Sequence, residues 1–287
     1  MKKLLVITLF SLFFAVRAEA SMVIIDYQGD TMVTTNNIER TLVVNSDDGT
    51  NYYIAVRPLQ EAVIKDDGSV SIPLEYLYIN NTREDVYLKY NEYSNIFWNA
   101  GMDGVAKVMT AKIKNYGIVP AGTYNINFEV QATDIDTREI ACTSMFNLQF
   151  VVPPVHQLNT YSETPRISVG ASDIFSKNKK IPTESSPQIY IRSNTDWILS
   201  LDTSNFGETP ANYYVRTTSA SSKVTNRLQE RALITPNREI ILARGKAPAN
   251  NEFVGVEFSV EGKDGKPIPA GNYQNRVKYI LREGEVN

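Results

Sequence analysis

The side chains that could do chemistry are few. In 287 residues there is one histidine, His156, and one cysteine, Cys142. Serine-type hydrolysis needs a base beside an activated hydroxyl. His156 instead sits in VVPPVHQLNTYSETPR, away from any G-x-S-x-G turn, and reads as an exposed positional residue. The H-E-x-x-H, Walker and G-x-G-x-x-G patterns are also missing from the sequence. One cysteine and one histidine do not make a zinc shell. Cys142, within IACTSMFNLQF, reads as a small buried hydrophobe, and it has no second cysteine with which to form an internal disulfide. Carboxylates are grouped at Asp47–Asp48, at Asp66–Asp67 and in TDIDTRE. Calcium takes about six to eight oxygens, so Asp134, Asp136 and Glu139 form the one calcium candidate. A solvated hairpin turn is the competing reading of the same residues. The expectation is a protein without cofactor and without enzymatic activity.

Aromatic residues are the richer signal. YNEYSNIFWNAG brings Tyr90, Tyr93, Phe97 and Trp98 into one stretch that ends in a turn. If exposed, Tyr93, Phe97 and Trp98 would make a stacking platform for a glycan or a surface for a partner. If buried, they plug the end of a domain. Trp197, in NTDWILSL, opens an alternating apolar run and reads as a core tryptophan.

The elements that hold these residues follow period two. YNINFEVQA puts Tyr124, Ile126, Phe128 and Val130 on one face, and MFNLQFVV does the same with Phe146, Leu148 and Phe150. Such alternation in β-branched and aromatic residues predicts half-buried strands. QIYIRS, WILSLD, REIILAR, GVEFSV and RVKYIL repeat the pattern, with turn clusters such as KDDGS and EGKDGKP between strands. Many short strands at close spacing predict an all-β chain of sandwiches. One segment is ambiguous: Ser221–Leu233 carries Val224, Leu228 and Ala232 at helical spacing, and either a short helix or a strand connection fits it.

Met1-Lys2-Lys3, an apolar run from Leu4 to Val16 and an Ala-x-Ala site ending at Ala20 read as a signal peptide over residues 1–20. The run is shorter than the ~20 residues a membrane span needs. Removing it takes Lys2, Lys3, Arg17 and Glu19 with it and moves the formal charge from −3 to −5. No basic excess remains to suggest nucleic acid. The remaining length suits two domains, and Pro153, Pro154 and Pro165 mark the break. The expected division is domain 1 at 21–153, a Pro-rich linker at 154–166 and domain 2 at 167–287.

Near the end of each half the same five-residue pattern returns: PAGTY at Pro120, Gly122 and Tyr124, and PAGNY at Pro269, Gly271 and Tyr273. Proline cannot donate to a ladder, glycine tolerates positive φ, and a following tyrosine can pack inward and bond nearby backbone. Two related modules in tandem explain the recurrence. P-A-G-x-Y followed by an alternating strand resembles the closing hairpin of bacterial exported Ig-like β-sandwich proteins of the fimbrial and surface-adhesin type. The paired cysteines of many such subunits are absent here. The resemblance implies two tandem Ig-like β-sandwich domains in a structural or adhesive component of a pilus, fimbria or envelope assembly. Its partners would be other protein subunits joined by β-strand addition, and its place the periplasm or the cell surface. Tandem Ig-like domains behind a signal peptide also resemble periplasmic pilus-assembly chaperones, and a secreted carbohydrate-binding protein is the third reading. For strand pairing, the candidates are Val23, Ile24 and Ile25, as a domain's own first strand or as a donor to a neighbour, and the C-terminal RVKYILREGEVN as a second edge.

Overall fold

The computed structural model describes residues 23–34, 37–46, 52–100, 107–114, 116–160, 166–170, 180–269 and 273–284. The expected signal peptide lies outside them. The chain divides into two compact units, Met1–Gly117 with Gly122–Val152, and Ile118–Ala121 with Pro153–Asn287. Each is a β-sandwich. Helical geometry among the described residues is confined to two 3-10 turns, Leu74–Tyr76 and Lys263–Gly265.

Unit 1 contains β1 (Val23–Val33), β2 (Asn37–Ser46), β3 (Tyr52–Pro58), β4 (Ala62–Lys65), β5 (Ser71–Pro73), β6 (Leu77–Asn80), β7 (Asp85–Tyr87), β8 (Ser94–Ala100), β9 (Lys107–Lys114), β10 (Gly122–Asp134) and β11 (Ile140–Val152). One sheet runs β1-β2-β9-β6-β7. The other runs β5-β4-β10-β3-β8, with β11 on the free side of β10. The period-two pattern explains why the sheets stack. Ile126, Phe128 and Val130 of β10 are buried, as are Leu42 and Val44 of β2 and Met109, Ala111 and Ile113 of β9. Each fully buried large apolar side chain contributes about 1.5–3 kcal/mol.

Unit 2 contains β12 (His156–Thr160), β13 (Ile181–Pro182), β14 (Gln188–Ser193), β15 (Trp197–Asp202), β16 (Ala211–Ala220), β17 (Val224–Arg227), β18 (Ala232–Ile234), β19 (Glu239–Gly245), β20 (Ala249–Gly262) and β21 (Lys278–Glu283). Its sheets run β12-β14-β20-β16-β18, with β13 on β20, and β17-β19-β15-β21. Trp197, fully buried, packs with Leu199, Leu201, Val215, Leu242 and Val256. The aromatic ring forbids a side chain at Gly245, where a Cβ would lie 2.2 Å from the Trp197 ring. Trp197 is thus the core residue its pattern predicts.

One ambiguous stretch is resolved in favour of a strand connection, and one differs from its sequence expectation. Ser221–Leu233 forms no helix. It leaves one sheet, where β17 pairs with β19, and joins the other, where β18 pairs with β16. At the crossing, Leu228 donates its N–H to Leu242 and accepts from Thr217. Val224, Leu228 and Ala232 do face the core, but a spacing of four is also a multiple of two, so the strand pattern fits them equally. The second stretch is the expected linker at 154–166. Its residues His156–Thr160 are β12, laddered to β14 from His156↔Ser193 to Thr160↔Ile189.

Candidate strand-pairing edges

The two units share a strand order. The sheet β1-β2-β9-β6-β7 matches β12-β14-β20-β16-β18 position by position, and β8-β3-β10 matches β19-β15-β21. In this correspondence the two P-A-G-x-Y patterns precede equivalent strands. β10 pairs with β3 from Phe128↔Pro58 to Asp134↔Tyr52, and β21 pairs with β15 from Trp197↔Glu283 to Asp202↔Lys278.

The tyrosines then diverge. Gly122 opens β10 at φ 142°, a conformation that favours glycine. Two residues on, Tyr124 is fully buried, and that burial raises its phenol pKa. Tyr273 keeps 38% of its surface exposed, and its hydroxyl donates to the Pro269 carbonyl at 3.0 Å. One tyrosine packs inward and the other bonds its own turn. Pro120 lies in the short segment that groups with unit 2, and Gly271 lies outside the described residues.

The larger divergence is on the far side of the two strands. β10 is laddered on that side to β11, from Gly122↔Val152 to Thr133↔Ile140. Among the described residues no strand pairs with the corresponding side of β21. Its sequence still alternates: Tyr279 and Leu281 pack on the unit 2 core, and burial raises the Tyr279 phenol pKa. Among the described residues, then, β21 has no laddered strand where β10 has the thirteen-residue β11, although β12 lies against β21.

Unit 1 closes its own edge differently. The outer side of β11 meets hydroxyls from β1. Tyr27 donates to the Asn147 carbonyl and accepts the Gln149 N–H at 2.8 Å, while Thr31 accepts the Val151 N–H at 2.9 Å. Phe146, with ring centroids 5.8 Å apart, and the Arg40 guanidinium at 4.4 Å fix the Tyr27 ring. Burial raises the Tyr27 phenol pKa, against the pull of the Gln149 bond and of Arg40. Side-chain oxygens thus satisfy backbone groups that an open edge would offer to another chain. Tyr27 and Thr31 carried no sequence signal beyond their place in an alternating strand. Further along β11, Ile140 and Met145 are more than half exposed.

The other predicted site residues are spread over the fold. Val23, Ile24 and Ile25 belong to β1 and pair with Ser46, Asn45 and Val44 of β2. Val23 is buried and Ile24 is exposed. Tyr93 is half-occupied: its hydroxyl donates to Glu129, and the Arg57 guanidinium lies 5.0 Å from its ring while bonding Glu129 at 2.8 Å. The Tyr93 bond, with help from Arg57, holds the Glu129 carboxyl below its ordinary range. Phe97 and Trp98 lie on the backbone of β8, with side chains outside the described residues. Asp134 turns its own hairpin by accepting the N–H groups of Asp136 and Thr137 at 2.7 and 2.9 Å. Among the described residues no three His, Cys, Asp or Glu side chains converge as a metal site. The His156 Nδ1 stands 3.0 Å from the Ser193 hydroxyl, which itself donates to the Thr195 carbonyl. Ser193 is fully buried, so this contact pins β12 to β14 and is closed to a substrate. Cys142 is half-buried.

No protein-family model matches the chain, and no curated protein sequence does. Among solved structures, the chaperone–tip adhesion subunit pre-assembly complex CsuC–CsuE of Acinetobacter baumannii aligns over 94% of this chain and 94% of that chain, at 12% identity and a TM-score of 0.38. The CupB6 tip adhesin of Pseudomonas aeruginosa aligns over 93% and 95%, at 7% identity and a TM-score of 0.35. The class 5 fimbriae chaperone CfaA aligns over 92% and 100%, at 13% identity and a TM-score of 0.26. With scores this low, the architecture is read from the strand order itself. Among the described residues no helix is long and apolar enough to cross a membrane.

Proposed function

We propose that this chain is a non-enzymatic subunit of an exported pilus, fimbria or envelope assembly, and that unit 2 takes up a strand from a protein partner along β21. The observation that carries the reading is internal: matched strand by strand, no described strand of unit 2 takes the place beside β21 that β11 takes beside β10. A segment laddered on that side of β21 would gain affinity from main-chain hydrogen bonds and register from alternate side chains. Residues 1–20 would direct export to the periplasm or surface.

One observation favours the chaperone reading. The β10–β11 hairpin is long, and beyond the stretch of β11 capped by Tyr27 and Thr31, Ile140 and Met145 are exposed, which suits lending that end of the edge to a subunit. An immunoblot of sheared surface material and of periplasm, run unheated and boiled, separates the two. A ladder of high-mass species that collapses on boiling supports the subunit. A single monomer band restricted to the periplasm contradicts it and favours the chaperone.

A further inference from the structure

The outer edge of β11 is capped along one half and uncapped along the other. Along β11, Thr143, Met145, Asn147, Gln149 and Val151 alternate, opposite Gln131, Glu129, Asn127, Asn125 and Thr123 of β10. In an antiparallel strand, alternate residues turn both N–H and C=O to the same side. The caps show which side this is: the Asn147 carbonyl and the Gln149 and Val151 N–H groups meet Tyr27 and Thr31, away from β10. Thr143 and Met145 share that phase, and their register with β10 is regular as far as Cys142↔Ala132. Among the described residues no side chain or strand bonds their outward N–H and C=O groups. Ala141, between Cys142↔Ala132 and Ile140↔Thr133, is the extra residue of a bulge, and a bulge bends its strand. The uncapped edge therefore runs from Cys142 to Phe146, between the bulge and the Tyr27 cap.

The composition of this edge says what fits it. Exposed edges are ordinarily kept apart by charge, proline or a covering element. Cys142–Phe146 has neither charge nor proline, and Thr143 and Met145 are exposed. A partner of opposite charge would find no ion here to pair with. The surroundings point to a copy of the same chain. Residues 21–152 hold nine Lys and Arg against seventeen Asp and Glu, so two copies of unit 1 repel over most of their surface. A two-fold contact sets each group of a patch against the same patch, and an uncharged stretch escapes that repulsion. Its backbone is also complementary to itself, because an antiparallel copy offers an N–H to each C=O. One register uses every outward group of Thr143 and Met145: Thr143 stands opposite Met145 of the second copy, Met145 opposite its Thr143, and Ser144 opposite its own twin. The two Met145 side chains are then diagonal neighbours across the seam, ~7–8 Å apart.

We infer that the Cys142–Phe146 edge of β11 pairs antiparallel with the same edge of a second copy of this chain, in a two-fold dimer. The contact is separate from strand uptake at β21. It is smaller than a standard interface, so the dimer forms with a dissociation constant of roughly micromolar or weaker. The test is sedimentation velocity of the full chain over a concentration series, in reductant. A monomer–dimer equilibrium is expected. Thr143→Lys sets a charge on the edge and should weaken the dimer by about tenfold or more. Leu233→Lys, at an exposed position of β18 in unit 2, should dimerise as the parent does. Cross-linking reads the register. Ser144 and its twin form a non-hydrogen-bonded pair with Cα atoms ~4.5 Å apart, within disulfide reach. Ser144→Cys in a Cys142→Ser chain should therefore give a covalent dimer on oxidation. The native Cys142 lies opposite Phe146 of the second copy, ~13 Å along the strand from its own twin, and should give none. A monomer at every concentration, a dimer indifferent to Thr143→Lys, or a cross-link through Cys142 and not through Ser144→Cys would each overturn the inference. So would protection of the Thr143 and Met145 amides that arises only when a different subunit is added. Each of these results leaves the reading of β21 to its own test.

Discussion

Unit 1 and unit 2 solve the same problem, burying alternating strands between two sheets, and finish it differently. In unit 1 the strand after P-A-G-x-Y is flanked on both sides, and the next edge outward is capped by the Tyr27 and Thr31 hydroxyls. In unit 2 the equivalent strand, β21, has β15 on one side and no described strand on the other. A sandwich edge is a site for association unless something covers it. The difference shows that one strand order can carry a further laddered strand in one copy and, among the described residues, not in the other.

The largest effect that sharpens this contrast should come from the two corner tyrosines. Tyr124→Ala should cost about 3–5 kcal/mol, as for a large aromatic removed from a core. Tyr273→Ala should cost less than about 1 kcal/mol, since it loses one hydrogen bond at a half-exposed position. Urea unfolding of the two variants measures both, and equal losses would break the comparison. Next, Gly245→Ala should destabilise unit 2 by about 1–3 kcal/mol, because the new methyl must displace the buried Trp197 ring. Near-UV circular dichroism would follow the tryptophan packing. Tyr27→Phe should cost about 1 kcal/mol. It should also speed amide exchange at Gln149 while leaving β21 as it was, because it uncovers the edge of β11 only.

The smallest effect concerns charge on the outer face of unit 2. Burial pulls the Glu257 pKa upward, but Arg216 at 2.8 Å and Arg231 at 2.9 Å outweigh it, and the folded-state value is lowered. A depressed carboxylate pKa contributes stability that is present above the unfolded value of about 4.3 and is lost as pH falls through the folded value. Glu257→Gln should therefore lower stability by about 1 kcal/mol at neutral pH, and by less in acid. Thermal unfolding from pH 7 to pH 3 checks this. A constant difference across the range would contradict the linkage.

Much of this was legible in the letters. Period two marked the strands because each sheet has one buried face, and Trp197 announced itself at the head of an alternating run. The repeated P-A-G-x-Y marked equivalent strands because proline and glycine constrain backbone whatever the surroundings. The crossing at Ser221–Leu233 was not legible, since residues spaced by four satisfy both periods. β12 was hidden by its flanking prolines. The caps on β11 were hidden for another reason: Tyr27 and Thr31 act on a strand about 120 residues away, and nothing local records a long-range hydrogen bond. The one-residue register slip between β14 and β20 was hidden as well, because the sequence of neither strand carries it alone.

Amide hydrogen exchange of β21 against β10, in the isolated chain and in assembled material, tests the central claim most directly. An edge strand leaves alternate N–H groups without a partner, whereas a strand flanked on both sides protects them. The prediction is fast exchange at alternate residues of Lys278–Glu283 in the isolated chain, slow exchange throughout Gly122–Asp134, and slow exchange at both after assembly. Protection of β21 equal to that of β10 in the isolated chain, or exchange at β21 unchanged by assembly, would contradict it.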